Sequence, residues 1–215
     1  MTIVAEESLA PAGRTSQVLR EATARAHENA ERSAFVADLM GGRLGVAAYA
    51  RLVGQLVHVY RALEDTGARL TGDPVADAVL DDRLDRVPSL ESDLAALGVD
   101  PAGEPMLPVT IDYVAAIEAC DDDAVRYLAH HYTRYLGDLS GGQIIASRMR
   151  LHYGVPDEAL AFYRFTGIDK LKRYKDGYRE RLDALDLDRD ALARLTTEAI
   201  GAFEFNQRLF TELEN

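Results

Sequence analysis

Apolar residues recur every three or four positions along most of this chain, which is the spacing of amphipathic α-helices. The pattern is clearest between Val46 and Leu70. One helical face there carries Tyr49, Leu52, Val53, Leu56, Val57, Tyr60 and Leu63. The sequence lacks the sustained apolar–polar alternation of half-buried strands, and no Asn-Gly or Asp-Gly hairpin turn separates two apolar runs. The sequence therefore predicts an all-α protein of about eight helices.

Capping and helix-breaking residues divide this pattern into segments. A flexible N-terminal lead-in is predicted over residues 1–14, and the first helix begins at Thr15 or Ser16, either of which is a plausible N-cap. Residues 98–108 contain three prolines and form the clearest loop, but neither half of the chain could bury a core alone, so residues 15–215 are predicted to form one domain. Besides a short helix that begins near Pro74, helices are predicted over 15–32, 46–70, 88–97, 110–119, 122–153, 156–165, 169–185 and 188–213.

Composition and charge exclude several classes of function. The net charge of −12 argues against nucleic-acid binding, which needs a dense basic surface. No stretch approaches 18 consecutive apolar residues, and the N-terminus lacks the basic and apolar regions of a secretory signal. The single cysteine, Cys120, excludes an internal disulfide framework and fits a reducing compartment. We therefore expect a cytoplasmic protein without a membrane anchor.

One basic segment stands out from this acidic background. Six cationic residues lie between positions 170 and 181: Lys170, Lys172, Arg173, Lys175, Arg179 and Arg181. They could form a solvated helix face that pairs with Asp176 and Glu180, or they could bind an anionic ligand or partner. The sequence pattern alone leaves both interpretations open.

Two glycines interrupt a helical pattern at Gly137 and Gly141. Each costs about 1 kcal/mol relative to alanine in a helix interior. Their spacing of four places them on one helical face, where the backbone is left uncovered. Such a pair often allows two helices to cross closely, and for an isolated pair this is the better interpretation. The alternative is a flat ligand that lies against the exposed backbone.

Of the five histidines, His27 has the most informative surroundings. None of the five has glutamate three residues before it, so the carboxylate di-iron pattern is absent, as are the His-Glu-x-x-His and Cys-x-x-Cys-His motifs. Glu31 lies one turn after His27 and Arg20 lies two turns before it. A carboxylate at one ring nitrogen leaves the other nitrogen free for a metal ion, although exposed His–Glu pairs are also common without one.

Taken together, these features favour a flat, apolar, anionic cofactor that contains iron. The iron would bind His27, and the ring would lie against Gly137 and Gly141. The carboxylates of the cofactor would pair with Arg20 and with the basic segment around Lys175. A cofactor with these properties is haem.

The sequence resembles the haem oxygenase family, specifically its soluble bacterial members, from Val18 to Leu213. A Gly-Asp-Leu-Ser-Gly-Gly motif combined with an upstream histidine on the first helix is a specific signal, whereas neither part is specific alone. The resemblance implies a single helical domain that holds haem between the first helix and a kinked distal helix. It rests on four segments, which are residues 19–31, 132–143, 174–179 and 202–206.

The resemblance also implies roles for individual residues. It matches His27 to the iron ligand and Glu31 to the partner of that ligand. The catalytic residues that it implies are Asp138, Tyr60, Arg134, Gly137 and Gly141, with Asp138 acting through ordered water. Other haem-binding residues are implied at Arg20, Tyr132, Ser140, Lys175, Arg179, Phe203 and Asn206. Relatives commonly have lysine at the position of Arg20, so the charge is kept here while the geometry changes.

The implied reaction is the oxidative cleavage of haem b to biliverdin by O2, with release of ferrous iron and carbon monoxide. The α isomer is expected because Tyr132, Lys175 and Arg179 are all present to anchor the propionates. The implied electron donor is a ferredoxin with its reductase or an NAD(P)H-dependent flavoprotein, and we expect a monomer that supports haem degradation and iron acquisition. Two other functions remain open: non-catalytic haem storage, and a thiamin-degrading or quinone-cofactor enzyme with carboxylates and often a cysteine at the centre of its pocket.

Overall fold

The computed structural model describes residues 13–100 and 105–214, and within them it contains helices and no strand. The predicted lead-in lies outside the described residues except for Gly13 and Arg14. One turn of π-helix over Tyr132–Leu136, the π-turn, joins the helices Ala124–His131 and Gly137–Tyr153 into one continuous helix. The α-helices are α1 (Thr15–Glu31), α2 (Ala34–Met40), α3 (Val46–Arg69), α4 (Pro74–Asp77), α5 (Val87–Ala96), α6 (Pro108–Glu118), α7 (Ala124–His131), α8 (Gly137–Tyr153), α9 (Leu171–Asp183) and α10 (Arg189–Leu213). The all-α prediction is confirmed.

Helix α1 begins at Thr15, as the sequence predicts, but the predicted cap is wrong. The N-cap residue is Arg14, whose side chain makes no capping hydrogen bond. The backbone N–H of Ser16 instead donates to Oδ1 of Asp183, at 2.8 Å. A carboxylate at the end of α9 thus stabilises the positive end of α1, which residues local to α1 could not reveal.

Two segments differ from the predicted helices. Helix α2 was not predicted, although Ser33 caps it by accepting the N–H of Val36. The helix predicted over 156–165 is wrong, because the chain forms two 3₁₀ turns there. The buried carboxylate of Asp93 accepts the N–H groups of Ala161 and Phe162, at 2.7 and 2.9 Å, and so holds the second turn.

Helix α3 lies at the centre of the larger apolar core, where Val53, Val57 and Tyr60 are fully buried. It packs against α5 and α6. The long helix α10 packs against α1, α6 and α7 and forms a second apolar cluster around Leu19 and Leu195. Truncation of a buried leucine in such a core costs roughly 2–5 kcal/mol. The two clusters fix α1 and the continuous α7–α8 helix on either side of a cleft.

Among the residues that the structure describes, no helix combines the length and the apolar character needed to cross a bilayer.

Candidate functional site

A cleft of about 330 Å³ lies between α1 and the continuous α7–α8 helix. Residues from α9 and α10 complete its walls. Seven of the predicted site residues line the cleft: Arg20, His27, Tyr132, Gly137, Ser140, Arg179 and Phe203. The fold therefore brings together groups that are far apart in sequence.

The imidazole of His27 is half exposed in this cleft. Its Nδ1 lies 3.6 Å from Oε2 of Glu31, which is an electrostatic contact and is too long for a direct hydrogen bond. The Phe203 ring packs against the imidazole in a T-shaped arrangement, with ring centroids 5.6 Å apart and ring planes at 71°. The carboxylate and the aromatic ring orient the imidazole, and an orientation with Nδ1 towards Glu31 leaves Nε2 available to a ligand.

The glycines of α8 differ in what surrounds them. A Cβ atom added at Gly137 or Gly141 would meet no described heavy atom within 4 Å, apart from its own helix and chain neighbours. At Gly142 the added atom would lie 2.9 Å from Cδ1 of Tyr163. Close packing within the protein therefore accounts for Gly142, whereas Gly137 and Gly141 leave backbone open to a ligand. This result rejects the helix-crossing interpretation for the latter pair.

The irregularity in the distal helix lies just before these glycines. The π-turn spans Tyr132–Leu136, whereas Gly137 has ordinary helical angles (φ −60°, ψ −52°). The glycines are therefore not needed for an unusual backbone conformation. Single π-turns within α-helices are frequent at functional sites, and this one is positioned to adjust which side chains of α7 and α8 face the cleft.

A buried polar network adjoins the cleft wall. Tyr60 donates a hydrogen bond to Oδ2 of Asp138. Arg134 donates from Nε to the Tyr60 hydroxyl at 3.3 Å and from Nη1 to Oδ1 of Asn206 at 2.7 Å. Nη2 of Arg134 also lies 3.8 Å from Oδ1 of Asp138. These four residues come from α3, the π-turn, α8 and α10, and the contacts above join them into one network.

Burial controls the charges of this network. It raises the pKa of Asp138 well above its usual value of 3.8. The neighbouring guanidinium favours the ionised carboxylate, but desolvation is the larger effect, and burial also lowers the pKa of Arg134. Asp138 is therefore biased towards a protonated carboxyl group beside the cleft, as is common for groups that exchange protons.

The cations of the basic segment on α9 serve both of the roles that the sequence left open: some form ion pairs on the helix surface, and others reach the cleft. Lys172 and Arg179 pair with Asp176, at 2.8 and 3.1 Å, as expected for a solvated helix face. Lys175 instead donates from Nζ to the Ser140 hydroxyl at 3.1 Å, at the edge of the cleft. Arg179 also lines the cleft, so two of the six cations reach the site.

The sequence interpretation missed four residues of the cleft lining: Thr23, Ala24, Thr133 and Leu136. Helical spacing could have identified them, because Thr23 and Ala24 precede His27 by one turn and Thr133 precedes Gly137 by one turn. The buried Cys120 is not part of the lining, and burial raises the pKa of its thiol to about 12. Its position therefore gives no support to an enzyme with a cysteine at the pocket centre.

Comparison with known proteins identifies the family. A family model described as Heme oxygenase matches residues 14–212. The chain belongs to the haem oxygenase family. It is similar to Heme oxygenase 1 of Synechocystis sp., with 35% identity over 91% of this chain and 83% of the relative. It is also similar to Heme oxygenase 1 of Rattus norvegicus, with 35% identity over 93% of this chain and 71% of the relative. Both relatives are named heme oxygenases, and this chain belongs to the same class of enzyme, the oxidoreductases that degrade haem.

Solved structures of the same family share the fold. The crystal structure of heme oxygenase-1 from Synechocystis sp. in complex with heme matches with a TM-score of 0.89 and 34% identity, over 94% of this chain and 93% of that one. Heme oxygenase from Leptospira interrogans matches with a TM-score of 0.87 and 32% identity, over 93% of this chain and all of that one.

The cleft of this haem oxygenase has features that suit haem. The backbone is open at Gly137, which lines the cleft, and at Gly141, which is not among the lining residues but lies one turn further along α8. His27 provides an imidazole in the same cleft, and Arg20 and Arg179 provide positive charge at its walls. A flat ring, an iron atom and two carboxylates can therefore all find complementary groups.

Proposed function

We propose that this haem oxygenase cleaves haem b to the α isomer of biliverdin, with O2 as co-substrate and with release of ferrous iron and carbon monoxide. The observation that carries the proposal is the uncovered backbone at Gly137, which lines the same cleft as His27. Gly141, one turn further along α8, is uncovered in the same way. If another helix packed against these glycines, its atoms would occupy the space next to their backbone. A flat substrate explains both the missing side chains and the nearby imidazole.

His27 is the proposed iron ligand and Glu31 holds its orientation. Bound haem supplies the iron chemistry of oxygen activation, and the protein supplies position, hydrogen bonds and charge. The 3.6 Å contact between Nδ1 of His27 and Oε2 of Glu31 restrains the orientation of the ring. Arg20, Tyr132, Lys175 and Arg179 are proposed to hold the propionates, because charge-assisted contacts fix both the depth and the rotation of the ring.

Asp138 is the proposed source of protons on the distal side. Burial raises the pKa of Asp138 and so favours the protonated carboxyl group, and the Tyr60 hydroxyl and the Arg134 guanidinium hold that group in place. No acidic or bulky side chain stands at Gly137 or Gly141, so protons would pass from Asp138 through ordered water. Asn206 fixes the other arm of Arg134.

The basic residues of α9 are the proposed docking surface for the electron donor, a ferredoxin or a flavoprotein with an acidic face. Lys170 and Lys172 are exposed on a protein whose net charge is −12, so they form a local target for an anionic partner. Reversal of their charge is expected to slow reduction and to weaken its dependence on salt. Unchanged rates and salt dependence would reject this surface.

We further propose that the enzyme acts as a monomer in the cytoplasm and supports iron acquisition. The single buried cysteine fits a reducing compartment. Size-exclusion chromatography with light scattering tests the oligomeric state.

Single-turnover spectroscopy tests the proposed reaction. The protein is loaded with hemin without oxygen, and O2 and reductant are then added. We expect loss of the Soret band with formation of α-biliverdin and carbon monoxide. A stable haem complex that survives repeated reduction and oxygenation would instead indicate storage or delivery of haem.

A further inference from the structure

A second cavity, of about 200 Å³, lies outside the haem cleft and shares none of its lining residues. We call it the acidic cavity, because four carboxylates line it: Glu64, Asp81, Asp82 and Asp85. Helix α3, the segment 80–85 and the continuous α7–α8 helix form its walls. The haem cleft and the acidic cavity therefore lie against different faces of the same helix.

Three buried side chains in the wall of the acidic cavity carry polar atoms without a partner. Tyr127, His131 and Tyr135 are each at most 2% exposed. Nδ1 of His131 lies 2.9 Å from the Tyr178 hydroxyl, whereas its Nε2 and the hydroxyl groups of Tyr127 and Tyr135 make no hydrogen bond with a described residue. Burial lowers the pKa of His131 to about 3, so its imidazole is uncharged at neutral pH. Buried polar groups are normally paired, so these three indicate that the cavity holds a polar occupant.

The arginines around the acidic cavity are engaged elsewhere. Arg83 donates from Nε and Nη2 to the carboxylate of Asp81, at 2.8 and 2.6 Å. The guanidinium of Arg86 is buried and donates only to backbone carbonyl groups, at 2.9–3.3 Å. Arg181 donates from Nε to the carbonyl oxygen of Ala78, at 2.6 Å. The other three carboxylates of the cavity therefore have no cationic side chain hydrogen-bonded to them among the described residues.

Glu64 offers one free carboxylate oxygen. Its Oε1 accepts the backbone N–H groups of Arg86 and Val87, at 2.5 and 3.0 Å, whereas its Oε2 accepts no hydrogen bond from a described residue. Burial raises the pKa of Glu64, and burial together with the nearby Asp82 raises the pKa of Asp85. A cation in the cavity would stabilise the ionised form of both carboxylates.

The arrangement suits an organic cation better than a metal ion. Among the residues that the structure describes, no three imidazole and carboxylate ligand atoms of this cavity lie within 4.8 Å of one another. Other parts of the wall are apolar, at Ala68, Leu80 and Leu84, and the faces of the tyrosine rings attract cations. The volume is that of roughly six to seven water molecules in the liquid. An ammonium group on a short alkyl chain would use the carboxylates, the rings and the apolar wall together.

We propose that the acidic cavity binds a short alkylammonium ion, a function separate from the cleavage of haem. The carboxylate of Glu64 accepts a charge-assisted hydrogen bond from the ammonium group. The hydroxyl groups of Tyr127 and Tyr135 and Nε2 of His131 provide further acceptors, and the alkyl chain contacts the apolar wall.

Calorimetric titration of the apoprotein with n-butylamine hydrochloride at constant ionic strength tests the proposal. The haem-free protein is used because amines also bind haem iron. We expect one ion per chain and an affinity at least tenfold weaker in Glu64→Gln, whose amide oxygen can still accept the N–H groups of Arg86 and Val87. Glu91→Gln is the matched control, because Glu91 is an exposed partner of Arg61 outside the cavity, and it is expected to bind as the wild type does. Unchanged binding by Glu64→Gln, or equal weakening by Glu91→Gln, would overturn the proposal.

Two further compounds test the chemistry of the occupant. Butan-1-ol has the same size without the charge, and we expect it to bind at least tenfold more weakly than butylammonium. Magnesium chloride is expected to displace butylammonium no better than sodium chloride of the same ionic strength. Equal binding of butan-1-ol, or preferential displacement by magnesium, would overturn the proposal.

Nuclear magnetic resonance of the unmutated apoprotein locates the ligand without any variant. We expect nuclear Overhauser effects between the butyl chain and the ring protons of Tyr127 and Tyr135. Contacts with Phe203 of the haem cleft in their place would overturn the assignment to the acidic cavity.

Discussion

Replacing Gly137 or Gly141 with alanine is expected to stabilise the folded apoprotein and to weaken its binding of haem. Each glycine lies in regular α-helix, and the added methyl group would meet no described atom within 4 Å outside its own helix and neighbours. Alanine is favoured over glycine there by about 1 kcal/mol. For a domain of this size that gain corresponds to a rise of about 2–4 °C in melting temperature. The same methyl group would occupy space against which haem is proposed to lie, so we expect affinity for hemin to fall at least tenfold, or about 1.4 kcal/mol.

Gly142→Ala is the matched control on the same helix. Its methyl group would lie 2.9 Å from Cδ1 of the buried Tyr163. Overpacking of this kind costs typically 1–3 kcal/mol, so this variant is expected to lose stability. The three alanine variants therefore distinguish a glycine that is required for close packing within the protein from glycines that leave room for a ligand.

Thermal and urea denaturation of the apoproteins, together with hemin titration, measure the two effects. The account requires opposite signs: increased stability with weaker hemin binding at positions 137 and 141, and decreased stability at position 142. If Gly137→Ala and Gly141→Ala destabilised the apoprotein as much as Gly142→Ala does, the backbone at positions 137 and 141 would not be open as described. Hemin affinity equal to that of the wild type would reject the proposed contact.

Three further variants test other parts of the account. Asp138→Ala is expected to retain hemin but to slow biliverdin formation by about 10²–10⁴-fold, which is the usual contribution of a proton-transferring group. A normal rate and yield of biliverdin in single-turnover spectroscopy would contradict the proposed role of Asp138 as a proton source. Lys175→Ala is expected to give a mixture of biliverdin isomers, because the contact with Ser140 and the proposed propionate anchor are both lost. Chromatography that shows the wild-type isomer alone would exclude Lys175 as an anchor. Burial lowers the pKa of His131 from 6.5 to about 3, so the unfolded chain takes up a proton below pH 6.5 before the folded one does. The free energy of unfolding should fall by roughly 1.4 kcal/mol per unit as pH drops from 6.5 to 3, and His131→Gln should remove this component in urea denaturation across pH.

Long periodic helices were predictable from the sequence because their cause is local. Helices α3 and α10 follow directly from the spacing of their apolar residues. Helix α2 has seven residues, and its two buried positions, Phe35 and Leu39, are too few to establish a period. The 3₁₀ turns near Phe162 depend on hydrogen bonds to Asp93, which is more than 60 residues away in the chain. Local patterns contain no signal for such contacts.

The site shows the same division between local and long-range information. The spacing of Arg20 and His27 along one helix indicated a common face, and the structure places both in the cleft. Joining Tyr60 to Asp138 required family resemblance, because the two residues are 78 positions apart. The contact between His130 and Glu198 could not be predicted either, because the two residues are 68 positions apart and no motif of fixed spacing joins them.

The central claim, that the cleft holds haem through His27, is tested most directly by the absorption and electron paramagnetic resonance spectra of the hemin complex. For the wild type we expect the spectra of histidine-ligated haem. His27→Ala should lose them, and added imidazole should restore them by entering the space left by the side chain. Histidine-ligated spectra that persist unchanged in His27→Ala without imidazole would contradict the claim.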